Sequence, residues 1–151
     1  MDPELKNTLR ALRGHGRFQL QRRLYQHGTT TVMRHCINVA AASLLLARVL
    51  RLRVDKQALI RGALLHDYFL YDWHDPSRKR EGLHGFVHPK TALKNAREDF
   101  ELSPVEENII VRHMFPLTPH PPACREAWLV CAADKYCALQ ETVRPFFSRL
   151  R

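Results

Sequence analysis

The stretch RGALLHDYF, residues 61–69, is an apolar helical run that ends in two side chains packing does not need. Ala63, Leu64 and Leu65 would bury themselves. His66 and Asp67, side by side, form a metal-binding and acid/base pair. Four more residues of the same chemistry, His35, His88, His113 and Asp134, flank the pair, each on its own predicted helix.

Upstream, Asp55 is placed to cap the helix that carries Leu59, Ile60, Ala63 and Leu64 at helical spacing and ends near Phe69. The helix before it starts at Thr29 or Thr30 and reaches about Leu50. Its stripe is Val32, Cys36, Val39, Ala40, Ser43, Leu44 and Ala47. His35, Val39 and Ala42 share a face. Asn38, one turn on, is placed to hydrogen-bond His35. Cys36 points about 100° away from His35 and is expected outside the site. Residues 2–13 read as a first helix, with Asp2 as cap, Pro3 at the first position and Leu5, Leu9 and Leu12 recurring. Gly14 and Gly16 break it, and a second, basic helix is expected over residues 17–26.

Downstream, residues 70–88 form a long loop. A loop of that length in a compact domain is functional or unstructured. Trp73, Phe86 and the neighbouring tyrosines point to an ordered lid. His88-Pro89 opens a helix over 89–100. Ser103, Pro104 and Glu106 mark the next start as a capping box, in a helix carrying Ile109, Ile110 and His113. After a proline-rich loop, the last helix covers residues 123–142, and Pro145 stops it. No strand pattern or repeat is visible. The fold class is all-α, with about six to seven helices in one domain over 1–151. Its core spans about 30–140, and the N-terminal helices, 2–26, pack on it.

A chain of 151 residues, 45% of them hydrophobic, can bury a core. The longest apolar run, VAAASLLLARVL (39–50), falls short of the roughly 18–20 residues of a membrane span and continues into RLR. The N-terminus MDPELKNTLR starts acidic and without an apolar core, and no signal peptide is expected there. The expected location is the cytoplasm, with no membrane partner. Four cysteines without CxxC spacing are expected as thiols there. The net charge of +9 suits an anionic partner. Without a nucleic-acid motif, a phosphorylated small molecule, first of all a nucleotide, fits better than nucleic acid. The exposed face of the first two helices offers a surface for a homodimer.

Each candidate ligand has an ordinary explanation by itself. A histidine at a helix end favours the C-terminal dipole, and Asp134 could pair with a cation. Yet Asp134 follows AWLVCAA, where a carboxylate is costly to bury unless paired or metal-bound. The six residues together make a site. His15, His27, His74, His84 and His120 fall outside the pattern and read as loop or surface residues, with His84 a minor alternative to His88. Imidazole and carboxylate donors suit Fe, Mn, Zn, Co or Ni.

The order His35, His66-Asp67, His88, His113, Asp134 resembles the HD-domain metal-dependent phosphohydrolase superfamily, in its small stand-alone form with six ligands. RHCINVA (34–40) is similar to the family's RHS-x-x-VA opening, and GALLHD (62–67) to its central segment. HPKTA (88–92) resembles its HP-x-x-(G/A) helix start, and Asp134-Lys135 its close. The resemblance covers about residues 30–140 and implies an HD-domain helical bundle around one or two divalent ions. Iron comes first, with Mn, Zn, Co, Ni or Mg as alternatives. His35, His66, Asp67 and Asp134 would hold one ion, and His88 and His113 a second, with Asp67 bridging. His66 and Asp67 would stand at the centre of catalysis. The implied activity is phosphohydrolysis of a nucleotide or other small phosphate ester, with metal-activated water as nucleophile. Lys90, Lys135, Arg61, Arg78, Lys79 and Arg80 are the candidate phosphate-binding cations. Two other functions share the pattern: a mixed-valent di-iron oxygenase and a non-catalytic nucleotide-binding regulatory module. The chain lacks the GYP motif of cyclic-di-GMP phosphodiesterases. In size it is nearest to the group that includes bacterial diadenosine tetraphosphate hydrolases.

Overall fold

A computed structural model describes residues 1–27, 29–75 and 82–148. The chain is all-α. Its helices are α1 (Pro3–Arg13), α2 (Val32–Val49), α3 (Lys56–Leu65), α4 (His84–Asp99), α5 (Pro104–Arg112) and α6 (Arg125–Ser148). A 3-10 turn (Phe18–Arg22) and a small hairpin, β1 (Tyr25–His27) with β2 (Thr30–Thr31), precede α2.

The helix starts follow from local chemistry. Asp55 Oδ1 accepts from the Ala58 N–H at 2.9 Å. Ser103 and Glu106 form the expected capping box, with the Ser103 N–H donating to Glu106 Oε2 at 2.7 Å and the Glu106 N–H to Ser103 Oγ at 3.3 Å. Thr31, not Thr29 or Thr30, caps α2.

α2 is the central helix. It buries Val32, Cys36, Val39, Ala40, Ser43 and Ala47 and packs against α3 and α6. α5 lies against α3 and α6, α4 against α5, and α1 against α3. Gly62 allows the close approach of α3 to α5, because a Cβ there would collide with the Ile109 side chain. α2 has 18 residues and a mean hydropathy of 1.3, enough by length and composition to cross a membrane. The expectation that no such run exists is corrected on that point. In this fold α2 is the core helix, and it buries His35 and Ser43.

Several boundaries differ from expectation, among them the end of α3, at Leu65 where Phe69 was expected. The second helix, expected over 17–26, is one 3-10 turn followed by β1. Only Phe18 and Gln21 of the 3-10 turn are buried, so no apolar stripe supports a helix. The segment is tied down instead by Arg17, whose Nε donates to Asp99 Oδ2 at 2.9 Å. The hairpin itself was not expected. α4 starts at His84, five residues before the expected helix over 89–100, and takes Pro89 inside it. There the ring removes the N–H that would have donated to the Gly85 carbonyl one turn back, so the first turn gives up one backbone hydrogen bond. α6 continues past Pro145 to Ser148, the last described residue. Of the expected lid, Arg78, Lys79 and Arg80 lie outside the described residues.

Candidate metal centre

His66 caps the C-terminus of α3 and His113 that of α5. Helix ends leave carbonyls without partners. Each of these histidines uses one: His66 Nδ1 donates to Ala63 O at 2.8 Å and His113 Nδ1 to Ile110 O at 2.7 Å. His88, in the second turn of α4, donates Nδ1 to His84 O at 2.8 Å. His35, on α2, has Nδ1 2.9 Å from Glu141 Oε2. Glu141 is held in turn by Asn38, whose Nδ2 donates to Oε1 at 3.0 Å. In all four the outer nitrogen is engaged and Nε2 faces inward. This is the arrangement by which outer partners fix the tautomer and orientation of ligating histidines.

Two carboxylates meet these nitrogens. Asp67 Oδ2 lies 3.4 Å from His66 Nε2 and 3.8 Å from His35 Nε2. Its Oδ1 lies 3.2 Å from His88 Nε2 and 3.5 Å from His113 Nε2. Asp134 Oδ1 lies 3.0 Å from His35 Nε2 and 3.7 Å from His66 Nε2. Three groups, His35-His66-Asp67, His66-His113-Asp134 and Asp67-His88-His113, each bring their donor atoms within 4.8 Å of one another. All six residues are buried.

The donor set fits a divalent cation. His66 Nε2 and Asp67 Oδ1 are buried and make no hydrogen bond among the described residues. His88 Nε2 and His113 Nε2 stand 2.9 Å apart, although each ring already donates through Nδ1. Two lone pairs at that distance need a positive centre between or beside them.

The electrostatics agree. Burial pushes the Asp67 carboxyl up, but His66 and His88 outweigh it and hold it well below the usual range. Asp134 is held low against burial by its hydrogen bond to His35 and by the nearby His66 imidazole. Burial, with the charges of His66 and His88, drives His113 down to about 3, so its imidazole is neutral. For His35, burial lowers the value, but the hydrogen bonds to Asp134 and Glu141 prevail and raise it to about 10. Burial also opposes the charge on His66, and Asp67 more than compensates. Without a cation, protons therefore balance the carboxylates, and a bound metal would take their place.

A cavity of about 520 Å³ opens onto the centre, within the range of small-molecule sites. Asp67, His88, His113 and Asp134 form its floor, and Trp73, Met114, Pro116 and Leu117 give much of its wall. Gly85 lets the start of α4 approach this wall, since a Cβ there would lie 2.8 Å from Leu117 Cδ2.

Of the expected cations, Lys135 lines the cavity, where its Nζ donates to His113 O at 2.7 Å. Two others do not. Lys90 lies in a shallow groove with Lys94 and Arg97 on another face of α4. It follows His88 by two residues, about 200° around the helix. Arg61, five residues before His66, pairs with Glu106 at 3.1 Å and donates to Glu101 O at 3.0 Å, away from the cavity.

Four side chains near the centre lie outside the expected ligand set. Glu141 binds His35, whereas Asn38 was expected to do so directly. Glu141 follows Asp134 by seven residues, two helical turns, which was a readable signal. Gln26 Nε2 donates to Asp67 Oδ2, and no helical spacing could reveal it. Cys36 lies behind His66, with Sγ 3.8 Å from Nδ1. His84, read as a loop residue and a minor alternative to His88, lines the cavity. Its ring stacks on Trp73 at 4.8 Å and on His88 at 4.5 Å, and its Nδ1 is 2.9 Å from the Tyr71 hydroxyl.

The HD domain family matches residues 32–139, more than two thirds of the 151-residue chain. The chain belongs to the HD domain family, whose members are in general metal-dependent phosphohydrolases and bind divalent metals. No curated protein and no solved structure matches the chain. Gln26 precedes the matched residues and Glu141 follows them.

Proposed function

We propose that this chain is a metal-dependent phosphohydrolase acting on a small phosphate ester, with a nucleotide as the first candidate. The carrying observation is the convergence of four Nε2 atoms and two carboxylates at the floor of an open cavity, with Asp67 turning one oxygen to each half. We assign His35, His66, Asp67 and Asp134 to one ion and His88 and His113 to a second, with Asp67 between them. Iron is the first candidate, and Mn, Zn, Co, Ni or Mg would suit the same donors.

A divalent cation bound here supplies charge neutralisation at phosphate oxygens and lowers the pKa of water. The chain does the rest. Glu141 and the helix-end carbonyls hold the imidazoles in register. Lys135 brings a positive charge to the cavity beside Asp134. The apolar wall receives the organic part of the substrate and excludes water. The four free cysteines support a reducing compartment, the cytoplasm.

The test is elemental analysis of purified protein with a phosphate-release panel of nucleotides, dinucleoside polyphosphates and simple phosphate esters. Release that is lost in His66→Ala/Asp67→Ala supports the assignment. Metal-loaded protein that releases no phosphate from the panel contradicts it. The apolar wall is equally suited to the di-iron oxygenase reading, and oxygen uptake with electron paramagnetic resonance of the iron-loaded protein separates the two.

A further inference from the structure

The hairpin before α2 supplies a side chain to the centre from outside the family-matched residues. Alternation along β1 turns Tyr25 outward, 52% exposed, and Gln26 inward, 6% exposed. The inward amide meets Asp67. A carboxylate can only accept from a neutral amide, so the Gln26 N–H side faces Oδ2. That oxygen is the one turned to His35 and His66. The other end of the amide, Oε1, is buried and has no hydrogen-bond partner among the described residues. Gln26 also lines the cavity.

A glutamine kept for packing would be a poor choice here. Burying an amide with its acceptor unmet costs free energy that leucine or methionine would not. The arrangement makes sense if the N–H has work to do on Asp67. Asp67 must keep one oxygen toward each pair of imidazoles, and rotation about its terminal torsion is soft. A donor fixed on Oδ2 by the hairpin restrains that rotation. The hairpin is short, and β2 ends on Thr31, the cap of α2. Gln26 and His35 therefore reach the same oxygen from one continuous segment.

We propose that Gln26 is a positioning residue of the metal centre. Its N–H, donated to Oδ2, orients the Asp67 carboxylate between the two pairs of imidazoles. This rests on the assignment of Asp67 as a metal ligand. Outer partners of ligating groups change metal affinity by about 10–100-fold when removed, and the same range is expected here.

The experiment is calorimetric titration of Mn²⁺ into the metal-stripped full chain, for the parent and Gln26→Leu, with thermal melting of both metal-free proteins. Gln26→Met, closer in shape, serves if the leucine variant does not fold. The expected result is Mn²⁺ binding weakened about 10–100-fold, with no loss of metal-free melting temperature. Parent-like affinity in the variant overturns the role of Gln26 and leaves the metal centre standing. Lower metal-free stability with unchanged affinity does the same, and identifies the amide as structural. A parent chain that binds no Mn²⁺ overturns the metal assignment and this proposal with it.

Discussion

His88 and His113 face each other Nε2 to Nε2 across 2.9 Å, and each has committed its Nδ1 to a backbone carbonyl. The two rings come from different helices, α4 and α5, so the approach is built by the tertiary fold. Asp67 Oδ1 completes the group from 3.2 Å and 3.5 Å. If this half holds its own ion, His113→Ala removes that ion and spares the one on His35, His66, Asp67 and Asp134. Metal content is expected to fall from two ions per chain to one. Elemental analysis after loading and desalting reads this directly, and an unchanged ratio would exclude the assignment.

Glu141 acts on the centre through His35. Glu141→Gln keeps the shape but removes the charge that holds the imidazole. Metal affinity is expected to drop about 10–100-fold, with a smaller loss for Asn38→Ala, which reaches the centre through Glu141. Calorimetric titration of both variants would show the order.

Asp99 ties the N-terminal segment to α4. It accepts from the Arg17 backbone N–H and guanidinium, and from the Tyr68 hydroxyl at 2.7 Å. Burial raises its pKa, but Arg17 and Tyr68 outweigh that and leave it below 3.8. A depressed carboxylate contributes stability that is fully present above its unfolded pKa and is lost as pH falls through the folded value. Asp99→Asn is therefore expected to lower the melting temperature at neutral pH and to flatten its decline below about pH 4. Parallel pH–melting curves for the two proteins would exclude this role.

Gly62→Ala forces a methyl group into Ile109. Overpacking of this kind costs about 1–3 kcal/mol, and at this size each kcal/mol lowers the melting temperature by about 2–4 °C. The partial rescue expected in Gly62→Ala/Ile109→Val checks the mechanism by thermal melting.

The sequence revealed the parts of this site that carry a burial contradiction. Asp134 after AWLVCAA and His66-Asp67 after Ala63-Leu64-Leu65 are polar groups where packing wants none, and both lie in the centre. Ser103, Pro104 and Glu106 fixed a helix start because capping is local chemistry. What escaped depended on direction or on long-range pairing. Lys90 and Arg61 are near ligands in sequence but turned elsewhere by the helix. Strands of three and two residues have too little period to read, so the hairpin and Gln26 were missed. Cys36 was judged by its angle from His35 alone, and the neighbouring helix brought His66 to it.

Anomalous diffraction from a crystal of the metal-loaded protein, recorded at the absorption edge of the loaded metal, tests the centre most directly. Two peaks are expected, one on each side of the Asp67 carboxylate. His35, His66 and Asp134 should lie about 2.0–2.3 Å from one peak, and His88 and His113 from the other, as is usual for such donors. A single peak would reduce the site to one ion, and no peak among these six residues would contradict the metal centre altogether.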